Sequence, residues 1–110
     1  MPRFITRGQL TQDYAKGMLA APEDREPAIR QIVEAVGCKF VALYFTTGDS
    51  DFLLITEGEG DDIIAGLMTA AAAGTVSNLS TVRAWTGAEF KAIADKAAGA
   101  ASAYKAPGQG

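Results

Sequence analysis

The chain has 110 residues, 48% of them hydrophobic and 21% charged, with a net charge of −3. This is enough for one globular domain and too few residues for two, and it is too apolar for disorder. No block of Lys or Arg offers a phosphate backbone its counter-charge, and no apolar run approaches the ~20 residues of a membrane span. Neither nucleic acid nor a membrane is therefore expected as a partner.

The opening "MPRFITRGQL" lacks the basic-then-apolar build of a secretion signal, so the cytoplasm is the expected compartment. Arg3 to Leu10 reads as a strand. Thr11 then caps a short helix carrying Tyr14, Met18 and Leu19, which Gly17 weakens. A firmer helix runs from near Asp24 to Val36. Pro27 is tolerated in its first turn, where N–H groups have no intrahelical partner, and Ile29, Ile32, Val33 and Val36 form its apolar face. Gly37 suits the left-handed residue that closes it.

Cys38 is the one cysteine, so no internal disulfide forms, and it reads as a small buried hydrophobe at a strand start. Phe40 to Thr46 is the clearest strand, apolar on both faces. Phe52 to Glu57 follows, and the turn formers Thr47-Gly48-Asp49-Ser50-Asp51 between them predict an antiparallel hairpin. Gly48-Asp49-Ser50 also has the look of a hydrolase signature. That chemistry needs a base for the serine proton, normally histidine, and the chain has none. The turn is the better reading.

Gly58-Glu59-Gly60 is a loop, and Asp61 or Asp62 caps a helix with Ile63, Ile64, Leu67, Met68 and Ala71 on one face. A dinucleotide fingerprint would need a third glycine where Ile63 stands. Gly74 ends this helix. Val76 to Trp85 is a more polar strand, and Thr86 to Glu89 fits a capping box ahead of Phe90, Ile93, Ala94 and Ala97. Residues 1–98 thus read as a single domain and 99–110 as a flexible tail.

The order strand, helix, strand, strand, helix, strand, helix is an α+β pattern. It matches the ferredoxin-like split βαβ (βαββαβ) fold, with an antiparallel sheet and an extra C-terminal helix. The absence of histidine also removes the usual zinc and haem sites, and the carboxylates between Asp49 and Asp62 lack calcium-loop register. No metal and no cofactor are expected.

Four residues stand out as ligand-binding candidates: Tyr44, Asp51, Arg83 and Trp85. Tyrosine donates a proton, arginine orients a carboxylate and an indole stacks, should their strands aim them into one cleft. The competing reading puts Tyr44 and Trp85 in a core or interface and Arg83 in solvent.

Three stretches carry a family likeness: "FITRGQLT", "AIRQIVEAVGCKFVALYFTTGDSDFLLI" and "GTVSNLSTVRAWTGAEF". From Phe4 to about Ile93 the chain resembles the GYD domain family, named for a Gly-Tyr-Asp motif in a β-hairpin. Gly48 and Asp51 match that motif, and Ser50 stands where the family has its tyrosine. The resemblance implies a ferredoxin-like fold related to dimeric α/β-barrel proteins. It implies no defined activity. Some barrel relatives are haem enzymes or cofactor-free oxygenases, and without histidine the usual haem attachment cannot be copied.

In such a fold both helices cover one face of the sheet. The strands at Phe40 and Phe52 are apolar on both faces, so the second face needs cover. A second copy packed sheet to sheet supplies it, unless the Ala-rich C-terminal helix folds back. The expectation is a homodimer or larger homo-oligomer binding a small molecule between the open face and the helices or the partner. A cofactor-free isomerase or oxygenase with Asp51 or Glu57 as base is the alternative, and a structural assembly subunit is the third reading.

Overall fold

A computed structural model describes residues 1–109; residue 110, the end of the expected tail, lies outside the described residues. Four strands form one sheet: β1 (Arg3–Leu10), β2 (Lys39–Phe45), β3 (Phe52–Glu57) and β4 (Val76–Ala84). Their spatial order is β2-β3-β1-β4, and every neighbouring pair is antiparallel. Each helical crossover skips one strand, which is the split βαβ arrangement of the ferredoxin-like fold.

The helices are α1 (Gln12–Ala20), α2 (Glu26–Ala35), α3 (Gly60–Ala72) and α4 (Gly87–Ala100). Thr11 caps α1 by accepting the Tyr14 N–H, yet the helix buries no residue. Its polar sequence and Gly17 give it little apolar face. In α2 the Val33 side chain is buried, with Ile29 and Val36 packed beside it, and the Arg30 guanidinium lies 4.4 Å above the Phe40 ring. Asp24 accepts the Glu26 N–H at 2.9 Å, one turn-forming bond ahead of Pro27.

The start of α3 differs from expectation. Glu59 occupies its cap position with no side-chain bond, and Asp61 and Asp62 fall within the first turn. There their charges still favour the positive end of the helix. Thr86 and Glu89 form the capping box in full, with Glu89 N–H to Thr86 Oγ1 at 3.1 Å and Thr86 N–H to Glu89 Oε1 at 2.7 Å. Alanines, the best helix formers, then carry α4 to Ala100, with a 3-10 turn at Ala101–Ala103.

The core lies between the sheet and the α2–α3 layer and consists of Val33, Cys38, Phe40, Leu54 and Ile63. Alternation assigns the other strand residues to the bare face. Register aligns Ala42, Ile55, Ile5 and Val82 in one apolar row across all four strands. On one side of it runs the row Lys39, Glu57, Arg3 and Ala84, and on the other Tyr44, Leu53, Arg7 and Ser80.

Helix α4 does not fold back over this face. Val82 and Tyr44 remain 48% and 61% exposed, and Phe90 and Ile93 on α4 are exposed too. The molecule measures 67 × 28 × 22 Å with a radius of gyration of 18.7 Å, well above the ~13 Å of a compact 100-residue domain. The first turn of α4 is tethered by Glu89 to Arg3 at 3.3 Å, and the rest buries nothing.

Candidate functional site

A cavity of about 90 Å³ lies beneath the helices, on the covered side of the sheet. Its floor holds Thr6, Leu54 and Thr56, its roof is Ile29 and Val33 of α2 with Ile63 and Leu67 of α3, and Cys38 closes one wall. Strand β3 alternates Phe52, Leu54 and Thr56 toward the helices, so Thr56 occupies a position that packing alone would give to an apolar residue.

Three hydroxyls reach this layer. The Thr6 and Thr81 Oγ1 atoms share a hydrogen bond of 2.9 Å. The Thr56 Oγ1 is buried, its residue 2% exposed, and it has no hydrogen-bond partner. An unpaired buried hydroxyl costs about 1–3 kcal/mol. Valine has nearly the same shape and no such penalty.

Tyr14 and Arg25 stand at the mouth. Both belong to the cavity wall and also to an open surface groove bordered by Asp13, Met18 and Glu23. The Tyr14 ring packs at 6.4 Å from that of Phe45, and Arg25 pairs with Glu23. Burial raises the Tyr14 phenol above its ordinary value, an effect Arg25 partly offsets, so it stays a hydroxyl donor. The Cys38 thiol is raised by burial and then by the Asp62 charge, and it stays protonated.

The four residues picked from the sequence do not converge on this cavity. Tyr44 lies opposite Leu53 on the bare face. Arg83 lies opposite Phe4, hence on the other face, with its guanidinium 4.8 Å above the Trp85 ring just past the end of β4. Strands β2 and β4 are the two sheet edges, three spacings or about 14 Å apart. Tyr44 is therefore separated from the Arg83–Trp85 pair by both distance and side.

Asp51 is occupied with architecture. Its carboxylate accepts the Leu10 N–H at 2.9 Å, its own N–H donates to the Gly8 carbonyl at 2.8 Å, and its carbonyl accepts the Thr46 N–H at 2.8 Å. Gly48 adopts φ +92°, a left-handed turn conformation, and the Ser50 carbonyl accepts the Thr46 hydroxyl at 2.7 Å. The Gly48-Asp49-Ser50 stretch is thus a hairpin turn. Glu57 pairs with Arg3 at 2.9 Å and with Lys39 at 3.8 Å on the bare face.

The cavity residues Thr56, Cys38, Tyr14 and Arg25 were not singled out together from the sequence. One signal was present: a threonine at an inward position of an otherwise apolar alternation. Among the described residues no group of three or more metal-ligating side chains is gathered, and no helix is long and apolar enough to cross a membrane.

No curated protein matches the chain. A family model for the GYD domain matches residues 4–94, more than four-fifths of the length, and spans the sheet, its covering helices and the start of α4. The chain belongs to the GYD domain family.

Proposed function

We propose that this protein binds a small molecule in the cavity beneath α2 and α3 and works as a homo-oligomer joined through the bare face of its sheet. One observation carries the binding reading: Thr56 lines a predominantly apolar cavity, and its hydroxyl is buried without a hydrogen-bond partner. Packing gains nothing from that hydroxyl, and a bound polar atom would satisfy it.

Assembly is supported by the pattern on the other face. The Ala42–Ile55–Ile5–Val82 row is apolar and partly exposed, Val82 by 48%, with Tyr44 and Leu53 beside it. Covering what remains exposed of Ile5, Ile55 and Val82 stabilises by about 3 kcal/mol at ~25 cal/mol per Å². On one flank Arg3 and Lys39 balance Glu57 and Glu89, while the other flank carries Arg7, so a partner covering that row has to leave Arg7 in water or meet it with an acidic group.

Mass spectrometry of the denatured, purified protein tests the first part, and sedimentation at micromolar concentration the second. A co-purifying small molecule and a mass above one subunit are expected. An empty preparation with no thermal shift across a metabolite panel removes the binding reading, and a cooperative lone subunit removes the assembly.

A further inference from the structure

We propose that the cavity selects a neutral ligand with one hydrogen-bonding oxygen, of the ketone, alcohol or phenol class, and that this oxygen meets the Thr56 hydroxyl. The inference rests on the reading of the cavity as a ligand site. It is carried by size, by the inventory of polar atoms, and by where charge is found.

Size limits the buried part. A cavity of 150 Å³ holds benzene, with its six carbons, so about 90 Å³ holds roughly four non-hydrogen atoms, and a longer ligand extends into the mouth. Of the polar atoms in the wall, Thr6 Oγ1 is already bonded to Thr81. The Cys38 thiol is held protonated by burial and the Asp62 charge, and a thiol is a weak partner. With the Tyr14 hydroxyl standing at the mouth, that leaves Thr56 Oγ1 on the floor, which both donates and accepts and has no partner.

Charge excludes the ionic classes. Among the described residues, Arg25 is the one ionised side chain in the wall, and it stands at the mouth, engaged by Glu23. A carboxylate or ammonium on the floor would lose its hydration with no opposite charge to replace it. A charged substituent fits only at the mouth, beside Tyr14 and Arg25.

Titration of ¹³C-methyl-labelled full-length protein with three probes tests this: xenon, butan-2-one, and 2-methylbut-1-ene, which copies the ketone's shape without its oxygen. Xenon should shift the Leu54, Ile63 and Leu67 methyls. Butan-2-one should bind about fivefold more weakly to Thr56→Val, the effect of losing one neutral hydrogen bond. Thr56→Ser should stay within about twofold of the parent, and the alkene should bind Thr56→Val as well as the parent. The parent's ketone-to-alkene preference, measured against their partition into hexadecane, gives a readout that needs no variant. If xenon and both organic probes shift the same methyls equally in parent and Thr56→Val, the cavity reading stands and the ligand class is wrong. If xenon shifts none of these methyls in the parent, the cavity reading itself fails.

Discussion

Gly58→Ala probes the wall of the cavity through a distance fixed by the backbone. Gly58 follows β3, and its N–H donates to the Pro2 carbonyl at 2.9 Å. A Cβ placed there would lie 2.7 Å from Cys38 Sγ, 3.2 Å from Cys38 Cβ and 3.4 Å from Cys38 Cα. The sulfur could swing away, but Cys38 is only 7% exposed and its N–H is bonded to the Val33 carbonyl at 3.0 Å. Overpacking of this kind costs about 1–3 kcal/mol. The lower entropy of the unfolded alanine chain offsets about 0.4–1 kcal/mol, because Gly58 does not need positive φ. The net expectation is a loss of about 1–2 kcal/mol, or a fall in Tm of roughly 5–15 °C for a domain of this size. Urea unfolding followed by far-UV circular dichroism measures it. Cys38→Ala in the same chain removes the closest atom, so the double variant should recover more than half of the loss. Equal stability of Gly58→Ala and parent within 0.5 kcal/mol, or strict additivity in the double variant, would refute the close approach.

Ile5 sits mid-row on the bare face, so Ile5→Glu should reduce the sedimenting mass to one subunit while leaving the circular dichroism intact; an unchanged mass would place the interface elsewhere. The Cys38 thiol and Tyr14 phenol are raised above their ordinary 9.0 and 10.0, so the unfolded chain ionises first. Their contribution is complete below about pH 9 and is lost as pH rises through the folded values, and Cys38→Ala should flatten that decline in an alkaline unfolding series. Thr86→Ala removes the cap of α4 at about 1 kcal/mol, to be read as faster amide exchange at Phe90 and Ile93 with sheet amides unchanged. The Thr86 N–H and hydroxyl hold the Glu89 carboxyl below its ordinary 4.5, so the same α4 amides should lose protection as pH falls through the acid range. Sheet amides accelerating equally with α4 would contradict its independence.

The elements were legible because their signals are local. Val33 and Ile29 mark α2 by helical spacing, Gly48 marks the hairpin, and Thr86 with Glu89 marks α4 to the residue. The site was not, because it depends on register and side. Nothing in the letters says that Arg83 faces the helices while Tyr44 faces away; a bulge at Val41, the extra β2 residue between Phe40 and Ala42, and another between Arg7 and Gln9, set those phases. The covered side was equally hidden. The sequence put any pocket between the open face and the helices or a partner, and the cavity lies under the helices, where α2 and α3 leave a gap above Thr56.

The hairpin shows what the matched family positions do in this chain. Gly48 supplies the left-handed turn, and Asp51 locks the hairpin to β1 through the Leu10 N–H. Both tasks are backbone tasks, and neither asks anything of the side chain at position 50. Ser50 contributes its carbonyl, which any residue would offer the Thr46 hydroxyl. The turn therefore stands without the family tyrosine. A phenol still reaches the base of this hairpin from another element, since Tyr14 of α1 packs against Phe45 at the end of β2. Because that same ring borders the cavity mouth, the region where the family places its tyrosine is linked in this chain to the cavity by Tyr14.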